Sequence, residues 1–425
     1  MEEIIMEKII MGKKVKLGVI GLGNRGYGML DTLFYLPNIE VKMVCDRYED
    51  RIERALEMIN KEDARKEWNC TGTVDYKEVI ANPEVEAVLV FTSWTSHIEI
   101  AIAAMKAGKR VAMEVGGATS IDSCWRLVRT SEKTGVPCMM LENCCYGREE
   151  MAVLNMVKQG MFGELIHCEG GYEHDLRDEI CCGIENRHYR FDNYHYRNGE
   201  NYPTHELGPI AKYLNINRGN RMLSLVAMAS KSRGLHDWIV RNKGENDPTA
   251  STVFNHGDVI TTMIKCANGE TITLTLDTCL PRPYSRGGRV QGTRGIWMED
   301  NRSIHIEGLT PQKEGDWSHS WESFEPYLEK YDHPLWKKYQ QGELIGGHGG
   351  MDYLVLSAFV ESVVNQTPPP IDVYDAAAWM SITVLSEESI AMGSMPVAIP
   401  DFTDGKWMTR EPGVESIYRL DEIPQ

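Results

Sequence analysis

The stretch VKLGVIGLGNRGYGMLDTLF, residues 15–34, decides the fold of the N-terminal part of the chain. Its first six residues are mostly apolar and favour a strand, a glycine-rich turn follows at 21–26, and Leu30, Leu33 and Phe34 then recur at helical spacing. Glycines permit a tight turn and a close backbone approach, and the N-terminus of a helix attracts a pyrophosphate. The stretch therefore predicts a strand, a phosphate-binding turn and a helix.

Short apolar runs continue outward from this stretch at 41–46, 86–91, 110–115 and 136–141, with amphipathic helical patterns between them. Such alternation is typical of parallel βαβ units with helices on both faces of the sheet. We expect an α/β protein whose residues 15–145 form a doubly wound, NAD-binding Rossmann domain. Residues 1–14 should be a short tail, since they carry acids where a signal peptide needs positive charge.

The pattern changes after about residue 145. A predicted helix at 149–159 precedes strand-like segments at 164–174, 222–231, 251–266, 270–279 and 288–298. Consecutive strands predict an α+β domain with a large, mostly antiparallel open sheet, and Asn268-Gly269 predicts a hairpin within it. We expect this substrate and oligomerisation domain over residues 146–393, a loop at 311–345, helices at 351–393 and a C-terminal extension at 394–425. A second subunit would cover the open sheet face.

The net charge of the chain limits the classes of partner that it can bind. There are 45 Lys and Arg against 62 Asp and Glu, a formal net charge of -17, which is the wrong sign for binding nucleic acid or an anionic membrane. The eleven cysteines lack the CxxC spacing of zinc or thioredoxin-like sites and fit a reducing cytoplasm. We expect a cytoplasmic homo-oligomer that binds a small molecule.

Asp46 strengthens the dinucleotide prediction because it lies 20 residues past Gly26, at the end of the second predicted strand. A carboxylate there accepts hydrogen bonds from the adenosine ribose and repels a 2′-phosphate, which favours NAD over NADP even beside Arg47. Trp94 and His97 follow the next core strand, although a core Trp94 and a His97 at a helix start are the alternative. The predicted cofactor contacts are Gly21, Gly23, Asn24, Arg25, Gly26, Asp46, Arg47, Ser93, Trp94, His97, Glu114 and Asn143.

The order of elements, the glycine loop and the two-domain layout resemble the glucose-fructose oxidoreductase and inositol dehydrogenase family (Gfo/Idh/MocA). In many sugar dehydrogenases of that family the fourth core strand ends in Glu-Lys-Pro, and the lysine carries a proton. Here Val115 follows Glu114. A conventional dehydrogenase would therefore lack its usual general acid and base.

Longer strings resemble the NAD-dependent glycosidases of glycoside hydrolase family 109, first known as α-N-acetylgalactosaminidases. They span nearly the whole chain: MEV at 113–115, LENCCY at 141–146, GGYEHDLR at 170–177, HYR to YRNGENYPTHELGP across 188–209, LNINRGNRM at 214–222, PRPYSRGGRVQGT at 281–293 and HGGMDY at 348–353. The resemblance implies that Tyr146 and His205 act near the reacting sugar carbons. It also implies that the sugar is held by Glu114, Arg190, Tyr202 and Tyr284.

The chemistry that this resemblance implies differs from that of ordinary glycosidases. Oxidation at C3 acidifies the C2 proton, its removal expels the group at C1, water adds, and re-reduction at C3 restores NAD. His205 has the pKa range to take the C3 hydroxyl proton, and Tyr146 would take the C2 proton if nearby positive charge lowered its pKa. Residues 202–205 before Gly208-Pro209 predict a shaped loop.

One departure from the family concerns Glu206, because the family string usually has Thr-His-Gly where this chain has Thr204-His205-Glu206. A carboxylate beside the histidine would alter its charge or trim the pocket. Two other functions stay open, a conventional NAD-dependent sugar or polyol dehydrogenase and a non-catalytic dinucleotide-binding regulator. Five histidines between 167 and 205 lack a metal-ligand spacing, so we predict no metal.

Overall fold

The structure is a computed structural model that describes residues 14–311, 321–340 and 346–424. Most of the predicted N-terminal tail and parts of the predicted loop at 311–345 lie outside these ranges. The described residues form two compact units. The first unit runs up to Tyr146 and adds Pro334–Ala377 and the residues from Gly413 onward; the second comprises Gly147–His333 and Ala378–Pro412.

The strands, in chain order, are β1 (Val15–Ile20), β2 (Ile39–Cys45), β3 (Thr71–Thr73), β4 (Ala87–Val90), β5 (Arg110–Met113), β6 (Cys138–Met140), β7 (Leu165–Glu173), β8 (Met222–Ala229), β9 (Val259–Cys266), β10 (Thr271–Asp277), β11 (Arg289–Gly292), β12 (Gly295–Met298), β13 (Ser303–Ile306), β14 (Glu322–Ser323) and β15 (Val397–Ala398).

The helices are α1 (Asn24–Leu33), α2 (Glu49–Asn60), α3 (Asp63–Lys66), α4 (Tyr76–Ala81), α5 (His97–Lys106), α6 (Ile121–Thr134), α7 (Arg148–Lys158), α8 (Arg177–Cys181), α9 (Arg190–Tyr196), α10 (Thr204–Tyr213), α11 (Gly234–Lys243), α12 (Glu325–Tyr331), α13 (Pro334–Tyr339), α14 (Met351–Asn365) and α15 (Val373–Ala391). Among the described residues, no helix is both long and apolar enough to cross a membrane.

The first unit contains the predicted Rossmann sheet. Its six strands pair in the order β3-β2-β1-β4-β5-β6, and every pairing between neighbours is parallel. Strand β4 is buried along its whole length, as expected for a parallel sheet covered on both faces. Because the strand order reverses between β1 and β4, a crevice for a ligand is expected beyond their carboxyl ends.

The second unit contains the predicted open sheet, with nine strands in the order β14-β13-β12-β11-β7-β10-β9-β8-β15. It is mostly antiparallel, with β7 and β10 paired in parallel. The hairpin predicted at Asn268-Gly269 joins β9 to β10, and Gly269 has φ +109°, which suits glycine. The predicted fold class is confirmed.

Three predictions about local structure between residues 251 and 345 were wrong. Strand β9 starts at Val259 rather than at 251, because the Asp258 carboxylate accepts hydrogen bonds from the backbone N–H groups of Arg233 and Gly234 and holds the chain at the start of α11. The segment 288–298 is a hairpin of β11 and β12. The described part of 311–345 contains the helices α12 and α13 instead of a continuous loop.

The first unit also includes residues beyond the sequence-based boundary at 145. Arg110 on β5 donates hydrogen bonds of 2.7 Å to the Ser362 carbonyl and 2.9 Å to the Thr367 carbonyl, and Met140 on β6 donates one of 3.3 Å to the Ile371 carbonyl. These contacts tie α14 and the following loop to the Rossmann sheet. The order of residues in the chain does not by itself predict that a C-terminal helix packs against the N-terminal sheet.

Candidate active site

The glycine turn between β1 and α1 has the geometry of a phosphate cradle. Gly21 has φ +96°, and its N–H donates to the Cys45 carbonyl at 2.7 Å. A Cβ on Gly26 would lie 2.0 Å from the Gly21 carbonyl oxygen, so a side chain there would force the turn open. Helix α1 begins at Asn24 without a side-chain cap on its first turn. The N-terminal backbone of α1 therefore fits a dinucleotide phosphate.

Asp46 lies directly after β2 and is buried. Its carboxylate accepts hydrogen bonds from the backbone N–H groups of Leu22, at 2.8 Å, and Tyr48, at 3.0 Å, and Arg51 Nη1 lies 3.7 Å from its Oδ2. A carboxylate offers about four lone-pair positions, so these contacts leave capacity for ribose hydroxyls. The neighbouring Arg47 is exposed and lies against the Tyr48 ring.

The segment after β4 is packed against the end of β5. Trp94 is buried, and a Cβ on Gly116 would lie 2.7 Å from its Nε1. His97 starts α5, its Nε2 lies 2.8 Å from the Thr92 carbonyl oxygen, and burial lowers its pKa. Ser93 Oγ lies 3.1 Å from the Thr95 hydroxyl in the same turn.

Arg25 is the centre of a charged network in the first unit. Its Nε donates to Glu114 at 2.7 Å, and its two terminal nitrogens donate to the Asp352 carboxylate at 2.7 and 2.9 Å. Asn143 Nδ2 donates to the same carboxylate at 2.8 Å, and His348 Nδ1 lies 2.8 Å from it. We call these five residues the Arg25 cluster. Although burial opposes it, hydrogen bonds from His348 and Arg25 hold the pKa of Asp352 well below its usual value.

Tyr146 ends the 3-10 turn Asn143–Tyr146 and is fully buried. Its hydroxyl donates to the Tyr418 carbonyl at 3.0 Å, and Trp336 Nε1 donates to its own carbonyl at 2.9 Å. Burial raises the pKa of the phenol well above its usual value. The condition under which Tyr146 was expected to act as a base, a lowered pKa, is therefore not met.

Helix α10, not a loop, presents His205. The helix runs from Thr204 to Tyr213 with Pro209 inside it. Proline has no N–H to donate to the carbonyl four residues earlier, which is that of His205. The prediction of a shaped loop over residues 202–205 was wrong for Thr204 and His205, which begin this helix, because burial of the helix against the sheet outweighs the preference of its residues.

The second unit gathers aromatic rings around His205. The imidazole lies 4.7 Å from the Tyr202 ring and 5.2 Å from the Tyr172 ring, both edge to face, and those two tyrosines are 4.4 Å apart. The Tyr284 ring lies 6.3 Å from Tyr172 and 5.1 Å from His174. The term aromatic cluster denotes Tyr172, His174, Arg190, Tyr202, His205 and Tyr284.

Arg190 supplies the charge of the aromatic cluster. Its side chain is buried, its Nη1 lies 3.1 Å from Glu179 Oε1, and its guanidinium carbon lies 5.3 Å from the centre of the Tyr202 ring. Burial and the nearby Arg190 charge lower the pKa of His174. The cluster thus combines one cation, one imidazole near His205 that favours its neutral form, and several flat aromatic faces.

Glu206 does not face the same side as its neighbour His205. Its side chain packs against Gly170 on β7, where an added Cβ would lie 1.7 Å from Glu206 Cγ. Its Oε2 lies 3.7 Å from Arg286 Nε. The carboxylate is therefore aimed at an arginine on the loop between β10 and β11 and not into the aromatic cluster.

The structure brings the predicted site residues together in two groups. Arg25, Glu114 and Asn143 meet in the first unit, whereas Arg190, Tyr202, His205 and Tyr284 meet in the second. Sequence reasoning missed Asp352 and Tyr172 as members of these groups. Both stand inside quoted family strings, HGGMDY and GGYEHDLR, which is the signal that identifies them.

Fold and site together define a class: a two-unit protein with a Rossmann dinucleotide-binding fold and an aromatic, histidine-bearing sheet domain. Residues 15–142 match the oxidoreductase family with an NAD-binding Rossmann fold, and residues 146–409 match the family described as glycosyl hydrolase 109, C-terminal domain. The chain belongs to glycosyl hydrolase family 109, and is an NAD-dependent glycoside hydrolase by class.

Full-length relatives agree with this assignment. A glycosyl hydrolase family 109 protein of Stenotrophomonas maltophilia is 43% identical over 94% of this chain and 92% of its own length. An α-N-acetylgalactosaminidase of Tannerella forsythia is 42% identical over 94% of this chain and 88% of its own length.

Solved structures show the fold. Levoglucosan dehydrogenase in complex with NADH and levoglucosan matches with a TM-score of 0.67 and 18% identity, covering 91% of this chain and 100% of that one. The scyllo-inositol dehydrogenase of Lactobacillus casei matches with a TM-score of 0.63 and 12% identity, covering 91% and 98%. At sequence identities this low, the similarity shows a shared fold only.

Proposed function

We propose that this chain cleaves N-acetylgalactosaminides or related hexosides, with NAD as a resident cofactor. The observation that carries the proposal is the aromatic cluster, in which an imidazole and a buried guanidinium lie among tyrosine faces. Sugars offer hydroxyl groups to such cations and C–H faces to such rings. The relative from Tannerella forsythia named as an α-N-acetylgalactosaminidase supports the choice of sugar.

The first unit would hold NAD. The α1 N-terminus suits its pyrophosphate, and the Asp46 carboxylate suits its ribose while disfavouring a 2′-phosphate. When bound, NAD supplies reversible oxidation at C3 of the sugar. A cofactor that is restored in each turnover has no need to leave, so the protein should purify with NAD bound.

The residues of this chain would bind the sugar and move its protons. Arg190, Tyr202 and Tyr284 would hold the hydroxyl groups, as would Glu114. His205 would take the proton of the C3 hydroxyl, because a neutral imidazole nitrogen is a proton acceptor and lies here among the rings proposed to bind the sugar. Tyr146 is the second proton-transfer candidate, and its raised pKa favours the neutral phenol, which suits donation to the leaving oxygen better than removal of the C2 proton.

The decisive experiment offers the purified protein a panel of α- and β-nitrophenyl glycosides and follows nitrophenol release and NADH absorbance together. The proposal expects nitrophenol without net NADH, and deuterium at C2 of product formed in heavy water. Accumulating NADH with free sugar would show a conventional dehydrogenase. Neither signal, on any glycoside or sugar, would point to a non-catalytic regulator.

We also place the protein in the cytoplasm. All eleven cysteines are free thiols, which suits a reducing compartment. Measuring the protein in cytoplasmic and exported fractions of its own cells tests this location.

The open sheet face is the proposed site of self-association. Met228 on β8 is paired with Thr261, and Met263 on β9 with Val226, so both methionines lie on one face, with 64% and 51% of their surface exposed. Exposed apolar side chains on one face are typical of an interface. Sedimentation should find an oligomer that the Met263→Glu variant dissociates.

A further inference from the structure

Three carboxylates in the second unit, two of them buried, surround Arg286. Arg286 Nη2 forms an ion pair with Glu150 and lies 3.7 Å from Glu299 Oε1, while its Nε lies 3.7 Å from Glu206 Oε2. Glu150 and Glu206 are buried, and the Arg286 side chain is mostly so. We call these four residues the Arg286 centre. One guanidinium therefore serves three carboxylates.

Glu206 enters this centre through a gap that a glycine leaves. It follows His205 in the first turn of α10, and its Cγ occupies the space that a side chain at position 170 of β7 would fill. The loop that carries Arg286 is tied to the same strand, because Gly171 N–H donates to the Arg286 carbonyl at 2.7 Å. Glu206 and the Arg286 backbone are thus both fixed against β7.

The third nitrogen of Arg286 faces the proposed sugar site. Nη1 donates to the Tyr284 hydroxyl at 3.4 Å, and the guanidinium carbon lies 5.9 Å from the centre of the Tyr284 ring. A guanidinium is a rigid planar fork, so its three nitrogens turn together. Glu206 on the Nε side and Glu150 on the Nη2 side therefore fix the direction in which Nη1 points.

We propose that Glu206 is a positioning residue that acts through Arg286 to hold the Tyr284 ring in one orientation, and so sets how tightly the sugar binds. The proposal rests on the proposed function, in which Tyr284 contacts the sugar. Glu206 is the residue that replaces the glycine of the family string Thr-His-Gly, and the proposal gives it a function. Without Glu206, the guanidinium turns toward Glu150 and Glu299 and releases the tyrosine hydroxyl.

The test compares Glu206→Gln and Glu206→Gly with the unmodified protein on the nitrophenyl glycoside that it cleaves best. We expect KM to rise about tenfold while kcat stays within about twofold, because ground-state and transition-state binding weaken together. Both variants should fold, since each removes one of three carboxylates that share one arginine. The matched control is Glu169→Gln, which breaks a 2.8 Å pair with Arg289 on the same sheet and should leave KM unchanged.

A double-mutant cycle separates positioning from a direct effect. In a Tyr284→Phe background, which lacks the hydroxyl that Arg286 contacts, Glu206→Gln should add no further rise in KM. An equal rise in both backgrounds, or no rise in either, overturns the proposal while glycoside cleavage itself stands.

Crystal structures of the protein and of Glu206→Gln give a readout that needs no activity. We expect the Arg286 contact to Tyr284 to be lost in the variant, and an unmoved Tyr284 overturns the proposal. If the unmodified protein cleaves no glycoside, the proposed function fails, and these structures still decide the positioning role.

Discussion

The Arg25 cluster and the aromatic cluster consist of different kinds of side chain. In the first, charged and polar groups meet through hydrogen bonds of 2.7 to 2.9 Å. The Asp352 carboxylate by itself accepts hydrogen bonds from both Arg25 and Asn143. In the second, rings meet at centroid distances of 4.4 to 5.2 Å around His205.

This difference indicates what each group can bind. A network of paired charges is fixed before any ligand arrives and suits a partner of constant structure, such as a dinucleotide. Aromatic faces with one titratable imidazole suit a neutral sugar and proton transfer. Variants in the two clusters should therefore fail in different ways.

The largest effect is expected from His205→Ala. Loss of a positioned acid or base costs about 10²- to 10⁴-fold in turnover, so kcat for glycoside cleavage should fall by that factor. NAD content, measured by absorbance after denaturation, should stay the same, because the substitution leaves the glycine turn and Asp46, which are proposed to hold NAD, unchanged. The control is His167→Ala, whose imidazole bonds Thr271 on the sheet and should retain full turnover. A His205 variant that keeps a third of wild-type turnover would make the imidazole a structural residue.

The parts of this comparison that sequence could predict are the local ones. The glycine turn at 21–26 and the Asn268-Gly269 hairpin are specified by residues adjacent in the chain, and both are found. Asp352 could not be placed beside Arg25 by any local rule, because 327 residues separate them. That contact depends on α14 returning to the Rossmann sheet.

The pKa of Tyr146 and the direction of the Glu206 side chain also could not be predicted from the sequence. Tyr146 was expected to act as a base only if nearby positive charge lowered its pKa, but complete burial raises that pKa. Glu206 was expected to alter the charge of the neighbouring His205 or to trim the pocket, but Gly170 leaves room for its side chain on another side of α10. Burial and direction are properties of packing, and the identity of a residue and its neighbours in the chain does not determine them.

Glu200, two residues before Tyr202, is a buried carboxyl in the second unit, and no arginine among the described residues pairs with it as Arg25 pairs with Asp352. Burial raises its pKa from 4.5 to about 8, against a backbone hydrogen bond from Tyr202. A pKa that is higher in the folded state gives stability that is complete below pH 4.5 and is lost as the pH rises to about 8. Glu200→Gln should therefore gain stability relative to wild type across this range, reaching roughly 2 to 4 kcal/mol.

Thermal midpoints at pH 5, 6.5 and 8 measure the effect of Glu200→Gln. The curve of the variant should diverge upward from that of wild type as pH rises. Glu99→Gln is the matched control, because its carboxylate is half exposed and pairs with Arg126 at the surface. Parallel wild-type and Glu200→Gln curves would mean that the buried carboxyl ionises freely.

Asp46→Ala should weaken the affinity for NAD about 10- to 100-fold, or roughly 1.4 to 2.8 kcal/mol, and leave sugar binding unchanged. The reason is that its carboxylate holds Leu22 of the glycine turn and faces the expected ribose position. Titration of NAD-stripped protein with NAD and with sugar measures both. Glu49→Ala, which removes an exposed carboxylate at the start of α2, is the control. Equal losses for NAD and sugar would assign Asp46 to the stability of the fold.

The smallest effect is expected from His348→Ala, which removes the most exposed member of the Arg25 cluster. The imidazole is 57% exposed, while the Asp352 carboxylate that it contacts keeps its two hydrogen bonds from Arg25. Loss of such a surface partner should cost less than about 0.5 kcal/mol at pH 7. Because the lowered pKa of Asp352 gives stability that is present above the unfolded pKa and lost as pH falls through the folded one, the variant should lose stability at a slightly higher pH than wild type. Acid titrations of His348→Ala and Asp352→Asn, followed by circular dichroism, test this order. If the two variants lose equal stability at pH 7, then the imidazole and not Arg25 holds Asp352, and the cluster is less firmly preorganised than its distances indicate.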